Sequence, residues 1–326
     1  MKLKAGTFFT IITVITALSC NSNNMKNTNP LLEKSLHPYG APRFDKITEG
    51  DFKPAFVLAI EEGKLQIDSI ANNTEEPTFE NTIEKLEYAG SKLSGVSSIF
   101  FNLNEANTSD TMQQIALEVS PLLTEYSNDI MLNEKLFDRV KVVYEKRNDL
   151  RLNKEQMRLT EETFKGFARN GAGLRGEERE KFREINKELS QLSLKFGQNV
   201  LAATNKFTLH ITDSTQLEGL PSFVKEGAAS EAKERKLEGW VFTLNAPSYG
   251  PFMQYSNKRE LREKMWRAYN GRSFNDEFDN SENVKRISQL RLQRANLLGY
   301  PLMHTMFLRT IWQVPRKKLI LFSMTF

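Results

Sequence analysis

The stretch GEEREKFREINKELSQLSLKFGQNVLAAT, residues 176–204, decides the fold class. Phe182, Ile185, Leu189, Leu192, Leu194, Phe196, Val200 and Leu201 recur mostly at i, i+3, i+4 and i+7, with charged and amide residues between them. That period of about 3.6 residues marks one long amphipathic helix, roughly 43 Å end to end. Good helix formers fill it, and proline is absent.

Upstream the same period returns behind capping residues. Asp51 is expected to cap a helix carrying Phe52, Ala55, Phe56, Ala59 and Ile60. After Pro77, TFEN (78–81) opens a second helix, with a stripe through Ile83, Leu86 and Leu93, and a third run covers 96–104. Ser109 and Asp110 begin a helix holding Met112, Ile115, Leu117 and Val119, and Pro121 is expected to start a separate segment reaching residue 131. Asn133 and Asn153 cap two more helices, the second ending near Gly171 and Gly173.

Downstream the period changes to two. KFTLHI (206–211) and WVFTL (240–244) are short, β-branched and aromatic. They read as two paired strands around a helix at 222–236. Helices resume after Pro251, over 258–269 and 281–298. The expected fold is all-α with a small two-strand β insertion.

The ends differ from this body. Lys2 and Lys4 precede an apolar run over 5–18, too short for a comfortable membrane span of about 20 residues. Ala17-Leu18-Ser19-Cys20 resembles a bacterial lipobox, and an Asn-rich polar stretch follows. The expectation is a lipoprotein signal peptide over 1–20, lipid on Cys20 and a flexible tether over 21–37. Such a chain would be anchored in the bacterial cell envelope, facing the periplasm or exterior. Pro30, Pro38, Gly40 and Pro42 make the segment before the first helix irregular. Cys20 is the single cysteine, so neither a disulfide nor a cysteine zinc site can form within the chain.

Net charge is +4 over 326 residues. The excess belongs to residues 301–326, PLMHTMFLRTIWQVPRKKLILFSMTF, which hold four bases and no acid. Without them 41 bases face 41 acids with the signs interspersed, which excludes a nucleic-acid surface.

Several segments together resemble the thimet-oligopeptidase and peptidyl-dipeptidase family of zinc metallopeptidases. They are FDKITEGDFKPA (44–55), PTFENTI (77–83), FFNLNEAN (100–107), ARNGAGL (168–174), FGQNVLAATN (196–205), WVFTL (240–244) and ANLLGY (295–300). The likeness covers residues 38–300 and is strongest to the peptidyl-dipeptidase branch. It implies the N-terminal half of a bowl of helices around a deep, narrow channel. Zinc would be held there by two histidines of an HExxH helix and a later glutamate, with the motif's own glutamate as general base. The implied substrates are short unfolded peptides that lose C-terminal dipeptides.

The chain has no HExxH. His37, His210 and His304 stand far apart, none followed by the required glutamate, so this chain is expected to bind no zinc and to be inactive alone. The carboxylate pairs Glu61-Glu62, Glu75-Glu76, Glu161-Glu162 and Glu177-Glu178 read as solvated faces, since neighbours on a helix do not face one another. Gly171-Ala172-Gly173 reads as a helix-ending loop and the aromatic residues as core.

Residues 301–326 break both the helical pattern and the resemblance. Permitted codons for this tail, read one frame over, give LNAHYVLEDNMAGTPEKVNTFLNDF, which is acidic, helical in pattern and similar to the family's next segment. A one-base slip near codon 301 is therefore expected. The competing expectations are a genuine basic tail that binds membrane, a non-enzymatic helical lipoprotein that binds peptides or a partner protein, and a piece that pairs with a separately made C-terminal half.

Overall fold

The computed structural model describes residues 29–307. Cys20, the signal-like segment and residues 308–326 lie outside them.

Helix α1, Glu49–Ala71, begins at Thr48. The Asp51 carboxylate reaches back to accept from the Thr48 backbone N–H at 2.8 Å and from its hydroxyl at 2.7 Å. Asp51 therefore closes the first turn from inside the helix, and Thr48 holds the cap position expected for Asp51. Thr78 and Asn81 make a second reciprocal cap, at 3.1 and 2.9 Å, ahead of a wide π-helical turn, Phe79–Glu84, and the short helix α2, Lys85–Tyr88.

The helix expected to run on through Leu93 stops here. Gly90 adopts φ +72° and donates its N–H to the Gln66 side chain at 2.8 Å, and α3 starts afresh over Ser91–Ala106. The Tyr126 hydroxyl presses on the same place. A Cβ on Gly90 would lie 2.7 Å from it, and one on Gly63 of α1 would lie 2.5 Å from it. Both glycines make room for that ring.

Helix α4, Asp110–Met131, runs straight through Pro121, contrary to the expected break. Proline removes one backbone donor. Burial of Met112, Ile115, Val119 and Tyr126 along the same helix outweighs that loss. Helix α5, Glu134–Lys146, and α6, Lys154–Arg169, begin at the expected caps. Asn133 accepts from the Leu136 N–H at 3.0 Å and Asn153 from the Gln156 N–H at 2.9 Å. Gly171, at φ +90°, turns the chain after α6, as the glycine loop was expected to do.

The long helix α7 spans Gly176–Lys206. Strand β1, Thr208–Ile211, pairs antiparallel with β2, Trp240–Thr243, in the register Leu209↔Phe242. Helix α8, Ser222–Glu234, lies between them in sequence. Helix α9, Ala246–Tyr255, contains Pro251 instead of starting after it, with Pro247 in its first turn, where a missing N–H costs nothing. Then come α10, Arg259–Asn270, α11, Ser281–Leu297, and a single turn, α12, Met303–Phe307. No described helix is long and apolar enough to cross a membrane. Helices with one two-strand sheet are the expected fold class.

The apolar residues gather in separate clusters. Phe52 and Phe56 of α1, Val96 and Phe100 of α3, and Met112 and Val119 of α4 form one. Ile67, Ile70, Phe79, Ile83, Leu136, Val140, Val143 and Phe167 form another beside it. Leu209, Ile211, Phe242, Phe252 and Met265 fill the β insertion. Ile185 and Leu189 of α7 meet Ile287 and Leu290 of α11.

The second half of α7 departs from the expected core. Phe196 is 38% exposed and Leu201 36% exposed, although both lie on the apolar stripe. Trp266 of α10, expected in the core, is half exposed.

Candidate functional site

Small polar residues interrupt the apolar stripes at helical spacing. On α4 they are Ser120, Thr124, Ser127 and Asn128, and on α7 Asn186, Ser190 and Ser193. The two helices cross so that these faces look at each other. Helix α11 closes the third side with Arg291, Leu292 and Arg294, and Leu302, Met303 and His304 stand at the rim. The cleft is open to solvent and measures about 1460 Å³.

Ion pairs outside the cleft fix the crossing. Arg183 of α7 donates to Glu125 at 2.6 Å and Asp129 at 2.9 Å on α4, and Lys64 of α1 reaches Asp129 at 2.8 Å. Inside, Asn186 donates its Nδ2 to Asn128 Oδ1 at 2.9 Å. The other half of that pair has no partner among the described residues: Asn128 Nδ2 and Asn186 Oδ1 are buried and unbonded. Asn128 is only 4% exposed. A buried amide left half-satisfied is costly, because it has given up water without replacement.

Arg294 stands across the cleft. Its Nη2 donates to Asn170 Oδ1 at 3.3 Å, its guanidinium lies 5.5 Å from the Phe182 ring centre, and its Nε is buried without a partner. Burial, and then the nearby Arg291 charge, hold its pKa below the ordinary arginine value. Neither Arg291 nor Arg294 forms an ion pair among the described residues, and no carboxylate lines the cleft. The arrangement can accept carboxylates and pair with an amide. It holds no nucleophile with a base beside it.

The residues weighed for metal chemistry do not converge. His37 is exposed before the first helix, and His304 sits exposed at the cleft rim. His210 points outward from β1 and its Nε2 meets the Glu238 carbonyl at 2.6 Å. The described residues contain no group of three histidine, cysteine or acidic side chains close enough to share a metal, so they do not fit the zinc implied by the resemblance. The glutamate pairs serve elsewhere. Glu76 pairs with Lys146 and Glu162 with Lys165, each bond holding the carboxyl below its usual pKa. Glu177 and Glu178 lie in the first turn of α7, where the helix dipole favours negative charge.

Sequence reasoning followed the apolar stripe of α7 and passed over the polar one. The signal was present as Asn186, Ser190 and Ser193 at spacings of four and three. It gains meaning only once α4 offers the matching face.

No family model matches the chain. Individual proteins do. Dipeptidyl carboxypeptidase of Salmonella typhimurium is 35% identical over 277 residues, 84% of this chain and 41% of the relative. Dipeptidyl carboxypeptidase of Escherichia coli is 35% identical over 279 residues, 85% of this chain and 41% of the relative. Oligopeptidase A of Escherichia coli is 31% identical over 278 residues, 84% of this chain and 40% of the relative. Matches that run through most of the chain, on a helical body with one small sheet, place it: the chain belongs to the thimet-oligopeptidase and peptidyl-dipeptidase family, and spans 41% of the length of the dipeptidyl carboxypeptidases it matches.

Proposed function

We propose that this chain is the N-terminal portion of a zinc metallopeptidase that releases C-terminal dipeptides from short unfolded peptides, and that it is inactive without the remainder. The observation that carries this reading is the 35% identity to two dipeptidyl carboxypeptidases over 84% and 85% of the chain, while 41% of their length is covered. The dispersed histidines support assigning the metal ligands to the remainder. In this reading the described helices supply a wall against which the catalytic part closes, and exposed apolar residues such as Phe196 and Leu201 belong to faces that the remainder covers.

The test is the coding DNA from codon 290 onward, translated in all three frames. A frame that continues the helices and reaches HExxH is the expected result. Absence of any such frame would overturn the reading and favour the non-enzymatic helical binder.

We further propose a lipid on Cys20, holding the protein on the outer side of a bacterial membrane. The Ala-Leu-Ser-Cys sequence and the polar stretch after it support this. Cells fed an alkyne-tagged fatty acid should label the wild-type chain and leave Cys20→Ser unlabelled and absent from the membrane fraction. Equal labelling of the two would remove the anchor.

A further inference from the structure

The cleft between α4, α7 and α11 leaves two kinds of group unsatisfied. The first kind is amide. Asn128 and Asn186 share one bond, so the Asn128 Nδ2 donor and the Asn186 Oδ1 acceptor stand without partners among the described residues. Both side chains line the cleft, and Asn128 is buried. A backbone peptide unit carries one acceptor and one donor, the complement of what the pair lacks. The second kind is charge. Arg294 is half-buried and spends its Nη2 on Asn170 Oδ1, a neutral acceptor. Arg291 lies three residues earlier on the same face of α11, and no acid lines the cleft. Two neighbouring cations without a counter-charge favour an arriving carboxylate.

We propose that this cleft binds the carboxyl-terminal end of a short peptide, with Arg294 and Arg291 taking the terminal carboxylate and Asn128 and Asn186 the amide unit next to it. The spacing suits that ligand. The Arg294 guanidinium lies 5.5 Å from the Phe182 ring centre, and Asn186 follows Phe182 by four residues, one turn of α7 or about 5.4 Å. In an extended peptide the terminal carboxylate stands one residue, about 3.5 Å, beyond the last amide unit. The two lengths are of the same order, so one chain end meets both requirements together. The side chains that precede it face Leu123, Leu189 and the exposed Leu292. The choice of a peptide as ligand rests on the peptidase reading. The contacts themselves belong to residues of this chain and involve no metal.

The experiment titrates the full chain, in mild detergent, with an N-acetylated alanine–leucine tetrapeptide by isothermal calorimetry. Saturable binding that weakens as salt is raised is the expected result. The same peptide ending in a carboxamide should bind roughly tenfold more weakly or worse, because it keeps the amide and the side chains and loses the charge. Arg294→Gln and Arg291→Ala should each weaken the free acid and leave the carboxamide unchanged, a difference that a merely structural role would not produce. Circular dichroism checks that Arg294→Gln folds. Should it not, the exposed Arg291→Ala and the comparison of acid with carboxamide on the unaltered chain still decide. Equal binding of acid and carboxamide, or no saturable binding, would overturn the assignment. So would a carboxamide that regains full binding from one internal glutamate, since the ligand would then be a side-chain carboxylate. The DNA test is separate. Binding without an HExxH frame keeps the cleft and removes the peptidase reading, and an HExxH frame without binding does the reverse.

Discussion

Phe100→Ala lowers the unfolding free energy by about 4 kcal/mol. Phe100 is fully buried where three helices meet. Its ring stands edge-on to Phe52 at 5.1 Å, Phe56 at 5.4 Å and Phe101 at 5.0 Å. Truncation removes the transfer energy of the ring, the three edge contacts and the filling of a space that α1, α3 and α4 enclose from all sides. Little can collapse into that space, because the surrounding rings are themselves held by one another. Urea denaturation followed by circular dichroism measures the loss. Leu65→Ala is the control, since Leu65 is 71% exposed on α1 and its truncation should change stability by less than about 0.5 kcal/mol. Equal effects of the two substitutions would refute this packing.

Arg139→Leu should cost about 3 kcal/mol, from a different cause. The side chain is 7% exposed and enters from α5 beneath the 73–82 segment. Its Nη1 donates to the carbonyls of Asn73 at 2.6 Å and Glu75 at 3.0 Å, and its Nη2 to Asn81 Oδ1 at 2.9 Å and Thr82 Oγ1 at 3.1 Å. Leucine fills part of the volume and removes all four of these bonds; Asn81 Oδ1 keeps the Thr78 N–H, while the carbonyls of Asn73 and Glu75 lose the guanidinium. Lysine keeps the charge but cannot fork, so Arg139→Lys should recover only a minority of the loss. The acceptors are carbonyl, amide and hydroxyl oxygens, so the effect should hardly change between low and high salt, unlike that of a surface ion pair. Full recovery by lysine would mean that charge alone mattered there.

Much of the fold was legible where a short-range rule governs it. Asn133, Asn153 and Ser109 act within one turn of their own position, and each caps the helix expected of it. The alternation of KFTLHI and WVFTL sufficed to pair the strands. Errors arose where distant residues decide. Pro121 read as the start of a separate segment, but packing of the flanking turns carries α4 through it, and α9, which contains Pro251, stands where helices were expected only after that proline. Gly90 interrupts what reads as one helix because Tyr126, 36 positions away, needs the space. The cleft belongs to the same group. Its serines and asparagines are individually ordinary surface residues, and only the crossing of α4 and α7 turns them inward. Cys20, read as a lipobox cysteine, lies outside the described residues, so the structure does not test that reading.

The β insertion has a consequence for the order of events in folding. Its chain leaves α7 at Lys206 and returns to the same helix. Arg272 bonds Thr204 at 2.9 Å, Lys206 pairs with Glu277 at 2.6 Å, and Asn280 bonds the Phe196 carbonyl at 3.1 Å and the Asn199 side chain at 2.9 Å. Both ends of the excursion are thus stapled to the last turns of one helix, while its interior packs on its own apolar residues. Once α7 and α11 have zipped together, the ends of the loop already stand at their final separation, and the entropy of closing it has been met elsewhere. The insertion then behaves as a tethered passenger, free to open and re-form above a bundle that does not wait for it.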